Sequence, residues 1–483
     1  MNIVFIVIDT LRYDHICAHG NHRIRTPNLD RLVAESWDFR RSFTASYPTI
    51  PHRTDVLTGR YGGPFHTWMP LPHDWQTFPE LLARAGYCTQ LIHDTPHLVN
   101  GGHNFDWPFQ AWMPVRGAEV DRPWIDALET WPENWCRDPL FDFADEGVLS
   151  GVTVQTYARA NRKRRRDTDW NAAKLFLTAS EWLRDNAWRD RFFLWVDCFD
   201  PHEPWDVPPS YAKMYDPSPD WDGRIDPRCF GVKRTEGVAE AACRRIKGLY
   251  AAKVSWVDRW LGEFLRTLDE TGLAERTAVV LTADHGTNVG EGGKFGKDAP
   301  VRRPEAHTPF MVRLPGGGSG TSDLIVQPQD VFATVLGLAG VARPKGLVSH
   351  DVLKAAQAGN RGRRKVALCG RNAHASWGGP DHKGNLFTVT DGEWFLEFAV
   401  DPADCRLTGS HSEEDVACAN ARVVGRLHAA GLAEVERRGV DPKLLAWLLR
   451  GGKGRFPTRC RWYDGWPAPA GFDFYWRRIY VGP

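Results

Sequence analysis

The sequence predicts an α/β fold: a central, mostly parallel sheet sandwiched by helices, followed by a smaller C-terminal subdomain containing an antiparallel sheet. Three observations predict it. Residues 3–8, 192–196 and 278–282 are apolar or β-branched along their whole length, the composition of strands buried on both faces. Such strands alternate with segments of helical periodicity, as the crossovers of a parallel sheet require. Residues 386–390 and 393–398 flank Asp391-Gly392, a two-residue hairpin signal that belongs to antiparallel pairing.

In chain order, the first strand spans 3–8 and ends at Asp9. Thr26-Pro27 supplies a cap and a first-turn proline for a helix over 28–35. Thr77 and Glu80 form a capping box ahead of 81–85, Gly86 closes that helix, and a short strand follows at 89–92. Residues 100–166 are rich in Trp and Pro and read as an irregular excursion over the active face. The excursion ends in Arg162-Lys163-Arg164-Arg165-Arg166, which reads as a solvated face, with contact to an acidic partner as the alternative. A helix over 172–186, the strand 192–196 and a long helix over 238–268 come next. The strand 278–282 runs straight into Asp284-His285-Gly286, and 309–314 and 330–338 continue the alternation. Texture changes near residue 345, which divides the chain into a catalytic unit, 1–345, and a C-terminal subdomain, 346–483, ending in an aromatic tail over 455–483.

Composition sets the outer bounds. A chain of 483 residues with 42% hydrophobic content can bury one large core and a smaller appended unit. A net charge of +1 gives no reason to expect nucleic acid or a membrane surface as partner, and an anionic substrate would be met by a few placed cations. The N-terminus lacks the basic start and small-residue cleavage site of a signal peptide, and no apolar run approaches the ~20 residues that span a bilayer. The ten cysteines include no Cys-x-x-Cys pair, so the expectation is a reduced, cytoplasmic protein without a disulfide framework or zinc knuckle. Many of the 22 tryptophans sit beside Pro, as at Trp107, Trp131 and Trp205, where they either pin long loops or line an apolar pocket.

Candidate chemistry gathers where strands end. Asp9 follows the first strand and Asp284-His285 a late one, and ligands in an open α/β sheet collect beyond the carboxyl ends of its strands. Two carboxylates and an imidazole suit a first-row metal such as Zn or Mn better than an all-oxygen set would. Taken alone, Asp-His-Gly is equally a capped turn. The segment Tyr47-Pro48-Thr49-Ile50-Pro51-His52-Arg53 adds a hydroxyl: Pro51 fits the first turn of a helix, so Thr49 lies at or just before its positive end. Arg53 follows at i+4 and can rise on the same face, its planar fork suited to a tetrahedral oxyanion. Thr49 as a plain N-cap is the alternative.

At this point the chain resembles the sulfatase branch of the alkaline phosphatase superfamily. The resemblance rests on an ordered set: Ile8-Asp9-Thr10-Leu11-Arg12, Thr26-Pro27-Asn28-Leu29-Asp30, the Thr49 segment ending Leu57-Thr58-Gly59-Arg60, Asp200-Pro201-His202-Glu203-Pro204-Trp205, Ala283-Asp284-His285-Gly286, Gly290-Glu291, Gly296-Lys297 and Arg313-Leu314-Pro315-Gly316. The resemblance implies a metal held by Asp9, Asp284, His285 and the oxygen of Thr49; with that donor set the expectation is one divalent ion, Mn or Zn rather than Ca. It implies that Arg53 and Lys297 cradle the oxygens of a small anionic ester, and that His202 lies near the leaving group, where an imidazole with an unperturbed pKa of ~6.5 could act as general acid. His97 is a further candidate for substrate binding.

Two departures shape the functional expectation. Sulfatases of this branch oxidise a Cys or Ser to formylglycine; Thr49, a secondary alcohol, would give a ketone, so no formylglycine is expected. Where many sulfatases show Gly-Lys-Trp-His, this chain reads His93-Asp94-Thr95-Pro96, without the sulfate-contacting Lys. Thr is the nucleophile in phosphoesterase branches of the superfamily; the two-zinc members add further ligands, for which Asp197, His202 and His307 are the nearest substitutes here. The expectation is therefore a single-metal hydrolase of a phosphodiester or phosphonate monoester, working through a covalent Thr49 intermediate. Hydrolysis of a sulfate or sulfonate ester by unmodified Thr49 is the alternative, and a ligand-binding pseudoenzyme the third reading. The aromatic tail could embrace a second subunit, which would make a homo-oligomer.

Overall fold

The computed structural model describes residues 1–438, apart from 63–67, 101, 125–130, 146–151, 298–299, 360–363, 372–386, 400 and 411, and beyond 438 only 461–462 and 466–467. The expected aromatic tail lies almost wholly outside the described residues.

The main sheet has eight strands. In chain order they are β1 (Asn2–Ile8), β2 (Ser36–Ser42), β4 (Cys88–His93), β5 (Ala111–Pro114), β6 (Phe192–Cys198), β7 (Thr277–Thr282), β10 (Phe310–Arg313) and β11 (Gly320–Val326), with the short β3 (Ser46–Tyr47), β8 (Asn288–Val289) and β9 (Phe295–Gly296) interspersed. Across the sheet the order is β11-β2-β10-β7-β1-β6-β4-β5. β1 runs parallel to both β6 and β7, β4 parallel to β6 and β5, and β2 parallel to β11; β10 alone runs antiparallel to its neighbours β7 and β2.

Alternation along the strands explains the sandwich. Val4, Ile6 and Ile8 of β1 join Leu194 and Val196 of β6 in one core layer, while Ile3, Phe5 and Val7 join Phe193 and Trp195 in the other. Successive side chains point to opposite faces, so a strand apolar at every position must be covered twice. The first layer is closed by the long helix Glu240–Glu270, which packs on the helices Asn171–Asp185, Pro209–Tyr215 and Pro27–Ala34. The second is closed by Thr49–Thr58, Phe78–Arg84 and Asp330–Ala339.

A second, five-stranded sheet has the order β15-β14-β13-β12-β3, where β12 is Ala367–Arg371, β13 Phe387–Thr390, β14 Trp394–Glu397 and β15 Arg406–Gly409. A hairpin joins β13 and β14 as expected, but Thr390 pairs with Phe395, so its loop is the four residues 391–394 rather than the two expected, with Gly392 at a φ of 94°. β12 also pairs in parallel with β3, Gly370 opposite Ser46. The small sheet therefore ends on the two residues that lead into the Thr49 helix.

Three expectations change. The 100–166 stretch is not wholly irregular: it contributes the edge strand β5 and a helix, Val152–Asn161. β2 is a genuine strand although Asp38, Arg40 and Arg41 interrupt its apolar pattern, because its neighbours β10 and β11 supply the pairing. The basic run is not all solvated: Arg164 is buried and donates to Asp206 at 2.8 Å, and Arg165 pairs with Glu133 at 3.0 Å. Of the loop tryptophans, Trp135 and Trp205 belong to the core. Among the described residues no helix is long and apolar enough to cross a membrane.

Candidate active site

β1 and β7 are neighbours and parallel, so the residues following them emerge side by side. That register brings Asp9 and Asp284-His285 together from opposite ends of the sequence. The backbone N–H of Thr10 donates to Asp284 Oδ1 at 2.9 Å, and the Thr10 hydroxyl donates to Asp9 Oδ1 at 2.7 Å, so one residue orients both carboxylates. Asp284 Oδ1 also accepts from the N–H of His285 at 2.8 Å. His285 Nδ1 lies 2.8 Å from the Gly286 carbonyl; a proton donated there leaves Nε2 with a free lone pair. That nitrogen is buried, has no hydrogen-bond partner, and lies 3.5 Å from Asp284 Oδ2 and 3.9 Å from Asp9 Oδ1.

These groups fit a divalent cation. Among the described residues Asp9, Asp284 and His285 form one metal-capable group, its ligand atoms all within 4.8 Å of one another. An unpartnered buried imidazole nitrogen beside two carboxylates is costly without a cation and is the donor set a first-row metal takes. Burial drives the His285 pKa down to about 4, so the ring is neutral and able to ligate at neutral pH. Burial, then the neighbouring charge of Asp284, pushes Asp9 well above the usual carboxylate range. Asp284 goes the other way: burial opposes its charge, but Arg53, His285 and His52 together outweigh burial and hold its pKa well below the usual carboxylate range.

Thr49 is the first residue of the helix Thr49–Thr58 and is buried. The residues on either side of it both reach the ligand group. Tyr47 meets the His285 ring edge-on at 4.8 Å between centroids. Arg53, one turn on, donates from Nη2 to Asp9 Oδ2 at 3.1 Å and from Nη1 to Asp284 Oδ2. Arg53 is fully buried, and Asp197 takes the remaining side of its fork, with Nε to Oδ2 at 3.0 Å and Nη2 to Oδ1 at 2.9 Å. Sequence reasoning had placed Arg53 on substrate oxygens and offered Asp197 as a second-metal ligand. In the structure all three kinds of nitrogen on Arg53 are engaged by acids, and Asp197 serves Arg53.

Neither other substitute ligand reaches a second metal group. His307 stacks on Tyr13 at 4.1 Å and faces the Arg40 carbonyl. His202 lies with its Nε2 2.8 Å from the Lys297 ammonium and its Nδ1 2.7 Å from the Glu203 carbonyl. Lys297 also donates to Glu203 Oε2 at 2.7 Å. Burial, then the Lys297 charge, lowers the His202 pKa; burial works against the Lys297 charge too, but Glu203 outweighs it and Lys297 is raised. His202 is thus a neutral acceptor for Lys297, and the expected free imidazolium with an ordinary pKa is replaced by a coupled pair. Lys297 and His202 both act on the charge of His285, which links this pair to the metal-capable group.

His97 is buried nearby. Phe199 stacks on His202 at 4.1 Å and meets His97 edge-on at 5.7 Å, so one ring joins the two imidazoles. His97 Nε2 lies 3.3 Å from Glu119 Oε2. Burial favours the neutral form of Glu119, but the nearby His202, His97 and Lys297 lower its pKa overall. Glu119 was not foreseen, since it stands in an excursion without periodicity and nothing in Ala118-Glu119-Val120 marks it. Other motif residues prove structural. Arg12 ties the loop after β7 by donating to the Thr287 carbonyl at 3.1 Å and to Glu291 Oε1 at 2.7 Å. Lys253, buried on the long helix, holds the His202 loop through Asp200 Oδ1 at 2.8 Å and the carbonyls of His202 at 3.2 Å and Pro204 at 2.5 Å.

A parallel sheet carrying a buried Asp-Asp-His group beyond its strand ends, beside a helix headed by a hydroxyl, defines a metal-binding hydrolase of ester bonds. Comparison with known proteins narrows the class: the family model described as Sulfatase matches residues 1–341, and the chain belongs to the sulfatase family. It is 27% identical over 388 residues to an arylsulfatase of Clostridium perfringens, covering 73% of this chain and 78% of that one. It is 25% identical over 405 residues to an iduronate 2-sulfatase of Mus musculus, with 71% and 69% covered. Among solved structures, a phosphonate monoester hydrolase from Silicibacter pomeroyi superposes with a TM-score of 0.68 at 21% identity, covering 90% of this chain and 95% of that one. A structure in complex with its substrate D-glucosamine-2-N,6-O-disulfate gives 0.67 at 17%, with 91% and 98% covered. The two structural likenesses establish the fold.

Proposed function

We propose that this enzyme hydrolyses a phosphodiester or phosphonate monoester, with Thr49 as nucleophile and one Mn or Zn ion held by Asp9, Asp284, His285 and the Thr49 oxygen. The observation that carries the reading is the placement of Thr49: Tyr47 packs on His285 and Arg53 bonds to Asp9 and Asp284, so the segment bearing the hydroxyl wraps the metal-capable group. A secondary alcohol cannot become the aldehyde of a formylglycine, which favours direct attack by oxygen. The similarity to phosphonate monoester hydrolase structures agrees with a phosphorus ester.

The bound ion would lower the barrier to ionising the Thr49 hydroxyl and to gathering charge on the ester oxygens. The helix Thr49–Thr58 turns its positive end on the same oxygen. Thr49 Oγ attacks phosphorus in line with the leaving oxygen; the bond to Thr49 forms as the bond to the leaving group breaks, and the Thr49 proton passes to solvent, which later recharges Lys297. The departing oxygen takes a proton from the Lys297–His202 pair, and Lys297 is its source because His202 Nε2 already accepts from Lys297 Nζ. Water then attacks phosphorus, the bond to Thr49 breaks, and the hydroxyl is restored. Arg53 helps keep Asp284 ionised, while Lys297 meets the charge on the ester. His97, paired with Glu119 and joined to His202 through the Phe199 ring, would contact the leaving group.

The test is a substrate panel. Chelated wild type reloaded with Mn or Zn should turn over an aryl phosphonate monoester or diester with a kcat/KM at least about tenfold above that for the aryl sulfate. The arylsulfatase and iduronate 2-sulfatase relatives favour the alternative of a sulfate ester, and a dominant aryl sulfate activity would replace the phosphorus reading with it.

A further inference from the structure

Asp197 has no place among the metal ligands, yet it is the most fully engaged carboxylate at the site. It takes Arg53 through two parallel hydrogen bonds, of 3.0 and 2.9 Å. It also accepts from the Thr95 hydroxyl at 2.5 Å and from the Trp195 indole N–H at 3.1 Å. Every one of these groups is buried, with Arg53, Asp197 and Thr95 at 0% exposure. Asp197 is the penultimate residue of β6, two after Trp195, and Thr95 follows β4, which lies beside β6 with His93 opposite Asp197. The pair is thus set by the sheet register.

Arg53 sits between two claims. Its Nη1 and Nη2 already hold Asp284 and Asp9, the two carboxylates a cation would need. A guanidinium left to those acids alone would compete with the ion for them. We propose that Asp197 is the positioning residue that holds Arg53 in one plane beside the metal group, so that the guanidinium takes only one oxygen of each of Asp9 and Asp284, and that the Thr95 hydroxyl fixes Asp197 in that geometry. Bidentate pairing is the arrangement that holds a guanidinium most firmly in one plane. Groups behind the ligands commonly matter nearly as much as the ligands themselves. The inference rests on the metal reading of Asp9, Asp284 and His285 but not on the identity of the ester.

The experiment measures Mn(II) affinity of the chelated full-length protein directly, by electron paramagnetic resonance of the free ion, with no turnover involved. Asp197→Asn should weaken affinity by about 10- to 100-fold. Removing a negative charge contributes to that loss, so the decisive variant is Thr95→Val, which changes no charge. It should weaken affinity roughly threefold to tenfold through the loosened carboxylate, and Thr95→Ser, which keeps the hydroxyl, should restore it. Should Asp197→Asn fail to fold, the Thr95 pair decides. Thr95→Val that binds Mn(II) as tightly as wild type would overturn the positioning role while leaving the proposed function standing. Wild type that binds neither Mn(II) nor Zn(II), the latter read by competition against a chromogenic chelator, would overturn the metal reading and this inference together.

Discussion

At the residue scale, Arg53 shows how position changes the meaning of a motif. Its i+4 spacing from Thr49 was legible in the sequence, as were Asp9, Asp284 and His285 as residues following strands. Its partners were not, because Asp197 lies 144 positions away and meets Arg53 only through the sheet. The consequence for mutagenesis is a shift in balance. A charge on Arg53 that served substrate alone could be removed with little effect on the fold. As found, Arg53→Ala leaves three buried carboxylates facing one another, which should destabilise the metal-free protein by about 3–5 kcal/mol. Thermal or urea unfolding with and without Mn(II) checks this: the loss should shrink when the ion supplies positive charge. An equal loss in both conditions would mean that the ion does not reach these acids. His202 carries a similar lesson, since its proximity to Lys297 removes the ordinary imidazole pKa assumed from sequence.

At the scale of elements, two anchors hold the site from behind. Lys253, on the long helix, fixes the loop that carries His202. Lys253→Met keeps the apolar stem and removes the ammonium that three oxygens share, so His202 should lose its alignment with Lys297. The expected result is a fall in kcat of about 10- to 100-fold with KM little changed, since correct orientation accounts for much of a catalytic group's effect. A change confined to KM would place His202 in substrate binding instead. The helix Ala421–Arg437 supplies the second anchor. Glu434 accepts from Arg438 Nη2 at 2.6 Å, and Arg438 in turn lies over the Tyr61 ring and donates to Gln327 Oε1 at 3.0 Å. Burial opposes the Glu434 charge, but hydrogen bonds and charge from Arg437 and Arg438 outweigh it and bring the pKa from 4.5 to about 2. A depressed folded-state pKa adds stability above the unfolded value near 4.5, and that stability is lost as pH falls through about 2. Glu434→Gln should therefore lower stability at neutral pH by about 1–3 kcal/mol and flatten its decline between pH 4.5 and 2. Unfolding curves at pH 7 and pH 3 check both parts.

At the scale of the whole molecule, the alternation of elements was readable because β1, β6 and β7 are apolar on both faces. The hairpin at Asp391-Gly392 was readable from its turn chemistry. β2 and β5 were not, since one is charged and the other exposed, and their strand character comes from neighbours supplied by distant sequence. Nor does any local signal announce that β3 would pair with β12, joining the small sheet to the approach of Thr49. A chain ended at residue 345 would leave Ser46 and Tyr47 without that partner, remove the rest of the small sheet and uncover Ala45 and Tyr61. It should express as aggregated or protease-sensitive protein. A folded, active 1–345 fragment would instead establish the catalytic unit as independent. The fold, the strand-end acids and the helix headed by Thr49 converge on one chemical claim, that the Thr49 oxygen attacks the ester.

The most direct measurement of that claim is turnover of an aryl phosphonate monoester by Mn-loaded wild type, Thr49→Ser and Thr49→Ala, each first shown to be folded. The account predicts that Thr49→Ser, which keeps a hydroxyl in place, retains activity within about two orders of magnitude, and that Thr49→Ala loses at least about 10⁴-fold in kcat. Thr49→Ala turning over at a rate near that of wild type would contradict it and move the attacking oxygen from Thr49 to water.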